Sequence, residues 1–96
     1  MFEVVQTDEF EAWLDDLRDS QAQARIAKRI VRVQSGLLGD VEPVGDGVSE
    51  LRIHYGPGYR LYFVTRQQVV IILLCGGDKG SQARDIARAK EMAKEV

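Results

Sequence analysis

The sequence predicts an α+β domain in which a mainly antiparallel sheet packs on helices. Two amphipathic helical stripes lie close together near the N-terminus. From Val48 the apolar period changes to two, and short turn signals then separate three successive strand-like segments. The chain has 96 residues, read as one domain over 1–96 with room for a single core.

Residues 2–6, FEVVQ, suit a short opening strand. Thr7 or Asp8 then caps a helix, with Glu11 at capping-box spacing from Asp8. Phe10, Trp13, Leu14 and Leu17 form its apolar stripe. Asp19 or Ser20 caps a second helix that ends near Gln34, with Gly36 as its stop. Its buried side is expected to hold Ile26, Ala27, Ile30, Val31 and Val33, and its solvated side Arg25, Lys28, Arg29 and Arg32. The short link makes the pair an antiparallel helical hairpin. Residues 35–47, with four glycines and a proline, read as an irregular loop.

Beyond the loop, Leu51, Ile53 and Tyr55 alternate with Glu50, Arg52 and His54. Gly56-Pro57-Gly58 turns the chain, Tyr59–Val64 returns, and Gln67-Gln68 turns it again. Val69–Cys75 is apolar throughout, as a strand covered on both faces would be. Ser81 is the expected cap of a last helix whose inner side is mainly small, Ala83, Ile86, Ala87, Ala89, Lys90 and Ala93, so that it buries little. The expected order is an N-terminal strand, a helical hairpin, a three-stranded antiparallel meander joining the first strand in one sheet, and a C-terminal helix.

Composition narrows the function classes. With 45% hydrophobic and 29% charged residues, the chain has the make-up of a soluble domain, and its longest apolar run is far too short to cross a membrane. The N-terminus lacks a basic segment followed by an apolar one, so no secretory leader and no membrane are expected, and the cytoplasm is the expected location. The net charge is −2. Seven acids fall in residues 1–20 against Arg18 alone, which leaves the remainder with a balance of +4. A net-acidic protein can therefore still present one positive face.

One histidine, one cysteine and no HxxxH or CxxC spacing give no metal signature. GGDKGS lacks the spacing of a nucleotide-binding loop and reads as a strand-to-helix turn, so no cofactor is expected. Cys75 reads as a small buried side chain. The hairpin over 49–63 is more suggestive. With a turn of about three residues, His54 would face Arg60 and Arg52 would face Tyr62, placing all four on one side of the sheet. Two neighbouring arginines need an anion between them: Glu50 is the local candidate, a phosphate the other. An arginine, imidazole and phenol cluster suits metal-free RNA cleavage. Attack of a 2′-hydroxyl on its own phosphate needs proton removal, charge stabilisation and help for the departing 5′-oxygen. Lys79, past the apolar strand, could add charge.

GDGVSELRIHYGPGYRLYF, followed by LLCGGDKGSQARDIARAKEMA, resembles the HigB-like, or phage Gp49-like, addiction-module killer proteins of the RelE/ParE toxin superfamily. The likeness extends to the N-terminal FEVVQTDEFEAWLDDLRD. It implies a RelE/ParE-like α+β fold and the toxin of a type II toxin–antitoxin pair. RelE-like members cleave mRNA on the ribosome without a metal, whereas ParE-like members poison DNA gyrase. The partner it implies is a helix-turn-helix antitoxin from an adjacent gene, through which alone the toxin would reach operator DNA. By position, Arg60 matches the arginine that contacts the scissile phosphate, and Lys79 occupies the place of a second catalytic cation. Arg52 corresponds to basic residues of the preceding strand, and His54 has no secure counterpart in the family; from the cleavage chemistry above, His54 and Tyr62 are candidates for proton transfer or for orienting the 2′-hydroxyl. The chain departs from the pattern in two ways: nothing aromatic follows Phe63, and its pI of about 5.3 is acidic where ribosome-targeting members are usually basic. Besides the mRNA endoribonuclease, a gyrase inhibitor and an inactive or regulatory antitoxin-binding module remain as alternatives.

Overall fold

Capping and periodicity place the helical hairpin. The computed structural model describes residues 1–96, beginning with β1 (Glu3–Gln6), α1 (Asp8–Asp15) and α2 (Ser20–Gln34). Thr7 caps α1: its Oγ1 accepts from the Phe10 N–H at 3.1 Å and donates to the Leu74 carbonyl at 2.6 Å. One hydroxyl thus closes the helix start and ties it to the sheet. With Thr7 as the cap, the Asp8–Glu11 capping box does not form. Asp19 caps α2 through the Gln21 and Ala22 N–H groups. At the far end, Gly36 takes a φ of 93°, and the Leu37 and Gly36 N–H groups bond to the Arg32 and Val33 carbonyls, both at 2.9 Å. That is a Schellman closure, which needs the left-handed conformation glycine supplies. The buried stripe of α2 is Ala22, Ile26, Ile30 and Val33. Ala27 and Val31 point outward instead of inward, because a helix buries one stripe and each lies a full residue step away from it.

The expected loop at 35–47 contains a further strand, β2 (Val41–Gly45), antiparallel to β3 (Val48–Ile53). It was hidden by its glycine and by Pro43, which an edge strand tolerates because only one side is paired. The meander therefore has four strands, completed by β4 (Tyr59–Arg66) and β5 (Val70–Asp78). The sheet order is β1-β5-β4-β3-β2, with β1 parallel to β5 and the other pairs antiparallel. Gln67 and Gln68 both adopt positive φ, 54° and 64°, as the tight turn between β4 and β5 requires.

Each sheet face has its own cover. Leu51, Ile53, Leu61, Phe63, Ile71 and Leu73 pack against Phe10 and the α2 stripe. On the other face, Val48, Tyr62, Val64, Leu74 and Cys75 pack against Ala89 and Met92 of α3 (Gln82–Ala93). An irregularity in the β4–β5 pairing, between Tyr62 and Phe63, lets both Leu74 and Cys75 face α3.

Ser81 makes no capping bond to α3. A short 3₁₀ turn (Lys79–Ser81) comes first, closed by the Asp78 side chain accepting from the Gly80 N–H at 2.8 Å. Ala83 and Ala87 face solvent rather than the core. Three polar ties hold the helix: Arg66 to the Ala93 carbonyl at 3.0 Å, Arg88 to Glu9 at 2.7 Å, and Gln82 to Glu50 at 3.0 Å. Gly76 and Gly77 are needed for close approach, since a Cβ at the first would strike the Trp13 ring and at the second the Asp85 carboxylate. The glycines of GGDKGS serve packing.

Candidate functional site

The site begins with the register of the β3–β4 hairpin. Arg52 lies opposite Arg60, Glu50 opposite Tyr62, and Ile53 opposite Tyr59. The connecting loop is five residues long, His54–Gly58, so the expected pairs of His54 with Arg60 and Arg52 with Tyr62 do not form. The shift is two residues, which keeps Arg52, Arg60 and Tyr62 on the expected face but moves His54 out of the strand.

Glu50 joins the two arginines. Its carboxylate lies 3.4 Å from Arg52 Nε and 3.9 Å from Arg60 Nε. Gln82, in the first turn of α3, donates to both carboxylate oxygens at 3.0 Å. Glu50 is 1% exposed and Arg60 8% exposed. The Arg60 Nε is buried with no hydrogen-bond partner, Glu50 being too distant to accept from it. Arg52, half-buried, also reaches Glu42 at 3.5 Å.

Tyr62 is fully buried behind this cluster, and its hydroxyl has no partner. Burial, then the Glu50 and Asp85 carboxylates, push its acidity far below that of an ordinary phenol. It is a neutral phenol at physiological pH. Cys75, also behind the sheet surface, has its thiol pushed up to about 12 by burial, with Asp85 and Glu9 adding to the shift.

His54, Arg60 and Lys79 line one hollow of about 380 Å³ beneath the Gly56-Pro57-Gly58 loop. Its walls carry two fixed cations, one imidazole and no carboxylate or thiol, a donor set suited to an oxyanion. Lys79 is exposed at the start of the 3₁₀ turn and sits beside Gly58. The His54 Nε2 lies 2.6 Å from the Asp40 carboxylate, which is held below its usual range chiefly by that hydrogen bond. The loop itself is pinned to α2. The Tyr55 hydroxyl donates to Asp19 at 3.0 Å, and its ring lies under the Arg25 guanidinium at 4.4 Å. The structure thus brings His54, Arg60 and Lys79 together, sets Arg52 beside them, and leaves Tyr62 beneath.

A second cavity adjoins the first. A groove of about 590 Å³ between α2 and the end of β3 is lined by Arg25, Lys28, Arg29, Arg32, Arg52 and His54, with Asp40 its single carboxylate. Sequence reading took the α2 cations for an ordinary solvated face. Their spacing beside a strand carrying Arg52 was the available signal, but its use required knowing that the 36–40 segment folds back onto the helix. Arg29 is the reason it does: its guanidinium donates to the Leu38, Asp40 and Arg52 carbonyls at 3.0, 3.1 and 2.8 Å.

Residues 12–95 match the family described as phage-derived protein Gp49-like (DUF891). The chain belongs to the Gp49-like family. An uncharacterized protein of Haemophilus influenzae is 48% identical over 87 residues, covering 91% of this chain and 88% of that protein. In the fold, this Gp49-like chain is similar to a mutant of the E. coli toxin RelE in the free state. The TM-score is 0.72 at 17% identity, over 99% of this chain and 97% of the other. The family is the one the sequence resembled, and the RelE fold is the one that resemblance implied.

Proposed function

We propose that this Gp49-like chain is the toxin of a type II toxin–antitoxin pair and that it cleaves ribosome-bound mRNA. The observation that carries the reading is the hollow that Arg60, Lys79 and His54 line together with no carboxylate among them. Arg60 and Lys79 take the non-bridging oxygens of the scissile phosphate, where negative charge grows as the 2′-oxygen attacks. Arg52, held by Glu50, adds positive charge alongside. His54 takes the 2′-hydroxyl proton, oriented by Asp40, and a water molecule gives the departing 5′-oxygen its proton, so that it leaves as a hydroxyl. The 2′-oxygen–phosphorus bond forms as the phosphorus–5′-oxygen bond breaks, leaving a cyclic phosphate. Tyr62, fully buried and outside the hollow, supports the arginines from beneath and does not reach the 2′-hydroxyl. The reaction requires no metal ion, because fixed cations supply the charge.

The partner in this reading is a helix-turn-helix antitoxin encoded next door, which neutralises the toxin in the cytoplasm and carries it to operator DNA. Expression without that partner tests the assignment. Arg60→Ala and Lys79→Ala should each lower mRNA cleavage by about 100-fold or more, the usual loss when one charge-stabilising group is removed. Circular dichroism and antitoxin binding should be unchanged for Lys79→Ala, whereas Arg60→Ala, which takes a cation away from the buried Glu50, is compared at a temperature at which circular dichroism shows it folded. Lys79 is exposed, so its removal leaves the fold intact. Folded variants with full toxicity would overturn the reading.

A further inference from the structure

Along the basic groove on α2, Arg29 spends its donors on backbone carbonyls and Arg25 lies over the Tyr55 ring, whereas the Lys28 and Arg32 side chains make no contact that holds the fold. Arg25, Lys28 and Arg32 stand on its wall with no salt bridge to any carboxylate. The one acid in the lining, Asp40, is already bonded to His54. Such a concentration of unpaired cations carries a repulsive cost that a bound anion relieves.

Two features favour a nucleic-acid strand over an acidic polypeptide. The groove and the hollow adjoin, since His54 and Tyr55 line both. From Arg25 to Arg32 the helix rises about 10 Å, and two of the three cations along it are arginines, whose forked guanidinium matches phosphate oxygens bidentately. We propose that the α2 groove binds successive phosphates of the same RNA strand whose scissile phosphate occupies the Arg60–Lys79 hollow. The inference rests on the RNA reading above and adds to it a second, non-catalytic binding track. Arg25, Lys28 and Arg32 hold the strand; the hairpin tip at His54 and Tyr55 is where it bends into the hollow.

The test is binding of a fluorescent single-stranded RNA oligonucleotide to the full chain over a series of salt concentrations. Each lost phosphate contact lowers the slope of log affinity against log salt by about 0.7. Lys28→Gln/Arg32→Gln should therefore flatten the slope by about 1.4. Arg84→Gln/Lys94→Gln, which removes the same charge from α3 and the residue just past its end, outside the groove, should leave it unchanged. Equal effects of the two double variants would overturn the groove, as would wild-type binding to polyglutamate but not to RNA. Cleavage of ribosome-bound mRNA is scored in parallel. Cleavage with an unaltered slope in Lys28→Gln/Arg32→Gln sinks the groove alone, whereas a wild type that cleaves nothing sinks the RNA reading itself.

Discussion

Glu50 settles how two arginines share a face of β3 and β4. Arg52 and Arg60 are directly cross-strand, a placement that repels unless a carboxylate intervenes. With Glu50 buried between them, truncation leaves Arg60 as an uncompensated buried charge. Glu50→Ala should cost about 3 kcal/mol in urea unfolding, whereas Gln82→Ala, which removes only a neutral donor, should cost about 1–2 kcal/mol. A Glu50→Ala protein as stable as wild type would show that the bridge contributes nothing. Cys75 makes a separate test. A thiol pushed up to about 12 and 4% exposed should resist alkylation in the native state and react fully only in denaturant. Much of this was legible in the sequence, because strand alternation assigns Arg52, Arg60 and Tyr62 to one face whichever even register is used. The burial of Tyr62 was not, since it depends on α3 covering that face.

At the scale of elements, α3 is the piece whose attachment is most polar. Its apolar contribution is limited to Ala89, Met92 and the flanking Ile86 and Ala93, so the ties to Glu9, Glu50 and Arg66 matter. Arg88 holds Glu9 below its usual carboxylate range by hydrogen bonding, with direct charge attraction adding to it. A carboxylate with a depressed folded-state value stabilises the fold above its unfolded value and loses that contribution as pH falls through the folded one. Arg88→Ala should therefore lower the melting temperature at neutral pH, and the gap to wild type should close in acid. A gap that is the same at both pH values would remove the ion pair from the docking of α3. Sequence periodicity found α1, α2 and the central strands because each buries a full apolar stripe or face. It missed β2 because an edge strand with proline and glycine, half of it facing water, has no such stripe. The length of the β3–β4 loop escaped for a related reason: Gly56-Pro57-Gly58 marks a turn without saying how many flanking residues leave the ladder.

For the whole molecule, the distribution of charge matters more than its sum. Acids cluster on α1 while Arg25, Lys28, Arg29 and Arg32 line the groove on α2, so a chain with a net charge of −2 still offers one strongly positive side. The segregation was visible as an acidic first segment before a mildly basic remainder. What sequence could not show is that the cations of α2, the end of β3 and the start of the 3₁₀ turn form adjoining cavities. That side is the one we propose for RNA, and the acidic pI is no obstacle to it. The most direct measurement is induction of the chain without the proposed antitoxin, with mRNA cleavage mapped by primer extension and plasmid supercoiling followed in the same cells. New cuts within translated mRNA, absent in Arg60→Ala, with supercoiling unchanged, are the predicted result. Intact mRNA together with lost supercoiling would contradict RNA cleavage and favour gyrase as the target.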